Sequence, residues 1–201
     1  DVIVEEHSED LLRMGGIGRQ LKNDVYVFYF VKRQIPWLLI NLCTAFLAAF
    51  TVTLFEDVIE QVVVLASSMS IVTGMGGNAG NQTLSVVIRS IALGELELKK
   101  NWKKVFKEMM IGIMQGAIVG SLAGLILYLK VGNPMIGIII FLAMIGNMMV
   151  ASTLGFLIPL VLKKYSFDPA LGSSIFLTAA TDVLGFFFFL SLASLFLPWL
   201  I

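Results

Sequence analysis

Histidine and cysteine are nearly missing from this chain: His7 and Cys43 are the only ones in 201 residues. A lone cysteine cannot close an intrachain disulfide, and Cys43, set inside an apolar run, reads as a small buried hydrophobe. His7 lies in the polar N-terminal stretch. No apolar segment therefore carries an imidazole for a membrane serine protease, a haem or a Cys/His metal cluster. No GxxxxGK[ST] phosphate loop occurs, and an intramembrane aspartyl protease would need two coupled aspartates where only Asp182 lies deep. The chain reads as a non-enzyme. Charge is the other scarcity. Only 14% of residues are charged and 58% are hydrophobic, with a mean hydropathy of +0.91, whereas a soluble domain carries roughly a quarter charged residues. This composition belongs to an integral membrane protein. The 14 basic and 14 acidic residues balance to a formal net charge of +0, so no overall basic character argues for nucleic acid. A basic-then-apolar signal peptide is lacking too. The acidic, helix-forming opening at Asp1 suggests a membrane domain excised from something longer.

What is present divides into two parts. Residues 1–34 read as a cytoplasmic acidic connector and amphipathic helix, and 35–201 as a five-helix transmembrane ion-conducting domain. The connector holds a clustered acidic patch, Glu5, Glu6, Glu9 and Asp10. Residues 19–33 mix Arg19, Lys22, Lys32 and Arg33 with aromatics, the pattern of an interfacial helix; Pro36 then sits at the mouth of the first span. A crossing needs about 20 apolar residues. Such runs occur at about 35–55, 58–94, 106–129, 135–162 and 169–197. The second is too long for one crossing and is interrupted by GMGGNAGN, which predicts a long broken or bent helix. Lys99, Lys100, Lys103, Lys104, Lys107, Lys163 and Lys164 fall in loops on one side. Lys130 alone, with Glu56, Asp57 and Glu60, falls on the other. The positive-inside rule then sets the N-terminus in the cytoplasm and the C-terminus outside the plasma (inner) membrane.

The residues that carry chemistry are few. Asp182 precedes Val183, Leu184 and a run of four phenylalanines, with no charge in the segment after it. A carboxylate at such depth costs several kcal/mol unless it faces water, a cation or a partner. Ser174, Thr178, Asp182 and Gly185 form one helical stripe, with Thr181 adjoining. The alternative is an aspartate hydrogen-bonded to a neighbouring helix. Gly74, Gly76, Gly77 and Gly80 interleave with Asn78, Asn81 and Gln82; broken backbone there would expose carbonyl oxygens that suit hard cations. A tight packing point between helices explains the same glycines equally well. One carboxylate per chain suits Mg²⁺, which keeps most of its waters, and a symmetric dimer would bring two Asp182 side chains to one axis. Gly112, Gly116, Gly120 and Gly124 recur every fourth residue as a strip for close helix packing, within one chain or between two. Arg89 and Glu108 either pair or flank the inner mouth, unless Arg89 simply snorkels to the interface.

Three blocks, TGMGGNAGNQ at 73–82, KEMMIG at 107–112 and DPALGSSIFLTAATDVLGF at 168–186, make a more specific pattern in combination. Over about residues 32–200 the chain resembles the transmembrane domain of the MgtE family of magnesium channels. The resemblance implies an all-α homodimer of five-helix units preceded by a plug-like interfacial helix, with a pore on the dimer axis between the second and fifth spans. It implies that Asp182 holds a largely hydrated Mg²⁺, both transported ion and ligand, with no organic cofactor. It maps the pore wall onto Ser174 and Thr178, and the glycine–asparagine block onto Gly77, Asn78, Gly80, Asn81 and Gln82. It also implies Mg²⁺-binding cytoplasmic regulatory domains as partners, absent from these residues, with Glu5, Glu6, Glu9 and Asp10 as remnants of a regulatory surface or as a plain solvated charge run. The function expected is Mg²⁺ passage through the lipid bilayer down its electrochemical gradient. A Na⁺- or H⁺-coupled divalent cation exchanger is the first alternative, and a non-transporting membrane anchor the second.

Overall fold

Away from water every backbone N–H and C=O must find a partner within the chain, and a helix does this locally. The apolar runs obey that constraint. The computed structural model describes residues 27–96, 102–166 and 172–201. Among them there are only helices and their connections: α1 (Val27–Thr53), α2 (Glu56–Gln61), α3 (Val64–Ala92), α4 (Trp102–Val131), α5 (Pro134–Lys164), α6 (Ser173–Leu195) and α7 (Leu197–Leu200). Four segments are long and apolar enough to cross a membrane: Gln34–Thr53 within α1, and the whole of α4, α5 and α6. α3 is 29 residues long, about 44 Å of helix, but its glycines, asparagines and serines keep it less apolar than the other four.

α5 is the hub. In its apolar window 61% of residues are buried inside the chain, against 11% in that of α1, because α3, α4 and α6 all pack on it. Leu65 and Val72 of α3, Ile139, Ile140 and Met144 of α5, and Phe189 and Leu190 of α6 fill the main core. The outward faces of α1 and α4 stay apolar and open: Phe46, Phe50, Ile118 and Leu122 are each more than 60% exposed. Such surfaces are what acyl chains cover.

The glycine ladder of α4 lies along α5 of the same chain. A methyl at Gly112 would stand 2.5 Å from the Met148 carbonyl oxygen, one at Gly116 2.5 Å from Ile145 Cα, and one at Gly124 2.6 Å from the Gly137 oxygen. The strip therefore serves packing within the chain, and small residues permit that backbone-to-backbone approach. α5 begins with Asn133, whose side chain accepts from the Met135 N–H at 2.9 Å and donates to the Trp199 carbonyl at 3.2 Å. One cap thus satisfies a helix start and ties down α7. Gly172, ahead of α6, has φ +75°, and the Trp37 ring lies where its Cβ would be, 2.6 Å away.

Two expectations are corrected. The second helix is not broken at GMGGNAGN: α3 runs unbroken from Val64 to Ala92. A glycine inside a helix costs only about 1 kcal/mol relative to alanine, and here some of the glycines admit neighbouring side chains and backbone, so the carbonyls stay within the helix. The start of the expected long span is a separate short helix, α2, carrying Glu56, Asp57 and Glu60. Pro36 stands, as expected, at the mouth of the first span, Gln34–Thr53, although α1 itself starts earlier and continues through the missing hydrogen bond, as membrane helices tolerate. The acidic patch Glu5, Glu6, Glu9 and Asp10 and most of the expected interfacial helix lie outside the described residues.

Candidate functional site

α3 and α6 cross antiparallel, and two contacts fix their register. At one, Gly80 of α3 admits Leu177 of α6: a Cβ there would stand 3.0 Å from both Leu177 methyls. At the other, the Asn147 side chain of α5 fills the space left by Gly76 of α3 and Gly185 of α6. Between those contacts lie Gly77 and Asn78 on α3, and Thr178, Thr181 and Asp182 on α6. Asp182 is thereby brought to the level of the glycine–asparagine block. Asn78 has fourteen residues of α3 on either side of it, so that level is the middle of the helix.

The helical period divides each motif into an open and a packed face. On α3, Asn78 and Gln82 are exposed and Gly77 and Asn81 partly so, and nothing stands within 4 Å of a Cβ built at Gly74 or Gly77. Gly76, Ala79 and Gly80 are buried, and a Cβ at Gly155 of α5 would meet the Gly80 carbonyl at 2.6 Å. On α6, Ser174, Thr178 and Asp182 are partly exposed, while Thr181 and Gly185 are buried. The Thr181 hydroxyl is held by its own helix, 3.0 Å from the Leu177 carbonyl and 3.0 Å from that of Thr178. Gly80, Thr181 and Gly185, expected to line a pore, are buried within this chain. The reason is phase: Gly80 is turned toward Leu177 and Ala151, and Gly185 toward Asn147 of α5.

Asp182 is half-buried in an apolar helix. Among the described residues it has no ion-pair partner, and no side chain hydrogen-bonds to it. No group of three His, Cys, Asp or Glu gathers among the described residues. Arg89, exposed near the end of α3, and Glu108, half-buried near the start of α4, make no salt bridge with each other among the described residues.

Two features were not read from the sequence. A groove of about 340 Å³ between α1 and α6 is lined by Gln34, Trp37 and Asn41 together with Ser174 and Thr178. Gln34 and Asn41 are seven apart, two helical turns, so their shared face was available as a polar repeat in the first span. The second is Asn147, the single carboxamide of the fourth span, 1% exposed. Its signal was the one carboxamide in an apolar run whose other polar residues are Ser152 and Thr153.

Comparison with known proteins gives a concordant result. The profile of the MgtE family, described as a divalent cation transporter, matches residues 69–192, the stretch that holds α3 through most of α6. The chain is 29% identical over 197 residues to the magnesium transporter MgtE of Bacillus subtilis (strain 168), covering 98% of this chain and 44% of that protein. It is 30% identical over 203 residues to the magnesium transporter MgtE of Thermus thermophilus, again over 98% of this chain and 44% of the relative. It is 28% identical over its full length to that of Enterococcus faecalis, 44% of which is covered. The chain therefore spans less than half the length of the relatives it matches.

Proposed function

The chain belongs to the MgtE family of divalent cation transporters, and from that premise we propose that it carries Mg²⁺ across a membrane through a pathway lined by the open faces of α3 and α6. The observation that carries this reading is Asp182: a carboxylate in an apolar helix, without a partner among the described residues, level with Asn78. A charge held in an apolar segment at that cost is best explained by a cation or water path beside it. Mg²⁺ dehydrates reluctantly and is commonly bound through its waters by one or two carboxylates. The carboxamides of Asn78, Asn81 and Gln82 and the hydroxyls of Ser174 and Thr178 can accept hydrogen bonds from such an ion's water shell. Gly77 leaves room for that shell, whereas Gly80, Thr181 and Gly185 keep the helices in register behind it.

Two such chains facing each other across a two-fold axis would set a pair of Asp182 carboxylates around the path, and their mutual repulsion favours a divalent ion between them. In this arrangement α1, α3, α4, α5 and α6 make five crossings. The lysines at the start of α4 and the end of α5 would lie on the cytoplasmic side, with α7 outside. Arg89 and Glu108 then flank the inner mouth. An inside-negative potential favours entry of a divalent ion by about 4.6 kcal/mol per 100 mV, so no nucleotide site is required.

The test is Mg²⁺ uptake into proteoliposomes at an imposed inside-negative potential, wild type beside Asp182→Asn. The variant keeps the shape and removes the charge. We expect a loss of tenfold or more, about 1.4 kcal/mol or more of attraction, with assembly unchanged on size exclusion. Wild-type uptake in Asp182→Asn would remove the aspartate from the mechanism. Uptake at zero potential that follows an imposed Na⁺ or H⁺ gradient would point to coupled exchange instead of a channel.

A further inference from the structure

Asn147 is a carboxamide 1% exposed at the junction of three helices, and beyond the register contact described above it has no stated part in transport. Its Nδ2 donates to the Val72 carbonyl of α3 at 2.7 Å. That carbonyl also faces its own helix, and a carbonyl oxygen has lone pairs for both bonds. The approach depends on Gly76, whose Cβ would collide with the same Nδ2. On the other side the amide abuts Gly185 of α6, where a Cβ would stand 2.9 Å from Oδ1 and 3.0 Å from Nδ2. The amide plate is therefore clamped between bare backbone on two helices. Oδ1 is buried and accepts no hydrogen bond among the described residues. A leucine or methionine of similar volume would avoid that desolvation cost. What the amide supplies and they cannot is a directed bond, which fixes the rotation of α3 as well as its distance.

We propose that Asn147 is a positioning residue for transport: it locks the spacing and rotation of α3 against α6. It thereby sets where Asp182, one turn before Gly185, stands relative to the open face of Asn78, Asn81 and Gln82. The inference rests on the transport reading given above. Its energetic logic is that a packed junction is not continuously deformable. If the wedge changes, α3 and α6 move as units, and the distance from the carboxylate to the carboxamides changes with them. Asn147 touches no part of the path; it acts through Gly76 and Gly185.

A size exchange tests this. Wild type, Gly76→Ala, Asn147→Ala and the double variant, each as the whole chain, are compared for Mg²⁺ uptake against Mg²⁺ concentration in proteoliposomes, and for thermal unfolding midpoint in detergent. Gly76→Ala is expected to lower uptake about tenfold, because its methyl displaces the amide, and Asn147→Ala to raise the half-saturating Mg²⁺ concentration severalfold. The double variant should regain about fivefold over Gly76→Ala, since the methyl then occupies space the amide has left; contacting residues are non-additive on this scale. A merely structural wedge would shift the midpoints and leave half-saturation at the wild-type value, which overturns the proposal. So does a double variant no better than Gly76→Ala. Absence of uptake in wild type would overturn the transport reading itself. The contact is then judged on the midpoints alone, sub-additive losses upholding the clamp and additive losses refuting it.

Discussion

Alanine at Gly116 and alanine at Gly74 are the same chemical change in two long helices, and the structure sets opposite signs for them. At Gly116 the new methyl would stand 2.5 Å from Ile145 Cα and 2.9 Å from the Met144 carbonyl oxygen, both backbone atoms of α5. No side chain can rotate away. Ordinary contact begins near 3.4 Å, so α5 must retreat by about 0.9 Å, a gap that already forfeits a quarter to a half of the dispersion well for neighbouring pairs. Gly112 and Gly120 lie one turn away on either side and would lose contact with it. Overpacking of this kind costs about 1–3 kcal/mol. Alanine's better helix propensity returns about 1 kcal/mol, leaving a net loss of about 0–2 kcal/mol, with the centre near 1. At Gly74 nothing lies within 4 Å, so only the propensity gain of up to about 1 kcal/mol remains. Unfolding both variants by SDS titration in mixed micelles, followed by far-ultraviolet circular dichroism, would measure the difference directly. The expected separation is about 2 kcal/mol, the overpacking cost alone. Gly116→Ala as stable as Gly74→Ala would refute the claim that the α4 ladder is closed by α5 of the same chain.

Further outcomes follow from the same geometry. Thr181→Val should leave Mg²⁺ uptake within about twofold of wild type, because the hydroxyl it removes bonds only to its own helix and is worth about 1 kcal/mol net at most. Thr178→Val, on the open side, should lower uptake several times more than Thr181→Val; equal effects would contradict the division of α6 into two faces. Gly172→Ala meets both a left-handed backbone and the Trp37 ring. A left-handed conformation costs a residue with Cβ about 1–2 kcal/mol, so the midpoint should fall and Trp37 should become more accessible to quenchers, read in a background with the other two tryptophans replaced by phenylalanine.

Composition and spacing determined much of this protein. The poverty in charge and the apolar runs require helices long enough to cross a membrane, since only hydrogen bonds within a segment satisfy backbone there. The motif blocks at 73–82 and 168–186 pointed to the two helices on which the proposed pathway rests, and Asp182 stands out from sequence alone because nothing near it is charged. Periodicity could not go further, because residues such as Gly77 and Gly80, or Thr178 and Thr181, lie on the same helix within one turn and differ only in what stands opposite. The tertiary structure decided that. Gly80 meets Leu177 while Gly77 meets nothing, so one packs and the other is open. It decided that GMGGNAGN is a continuous helix, since glycine's small propensity cost is overcome by neighbours that close on some of its bare backbone. It settled the α4 ladder as an intrachain seam, a question about partners that spacing does not contain. And it revealed Asn147, whose meaning lies entirely in two glycines, 71 positions upstream and 38 downstream, brought to one amide by the crossing of α3, α5 and α6.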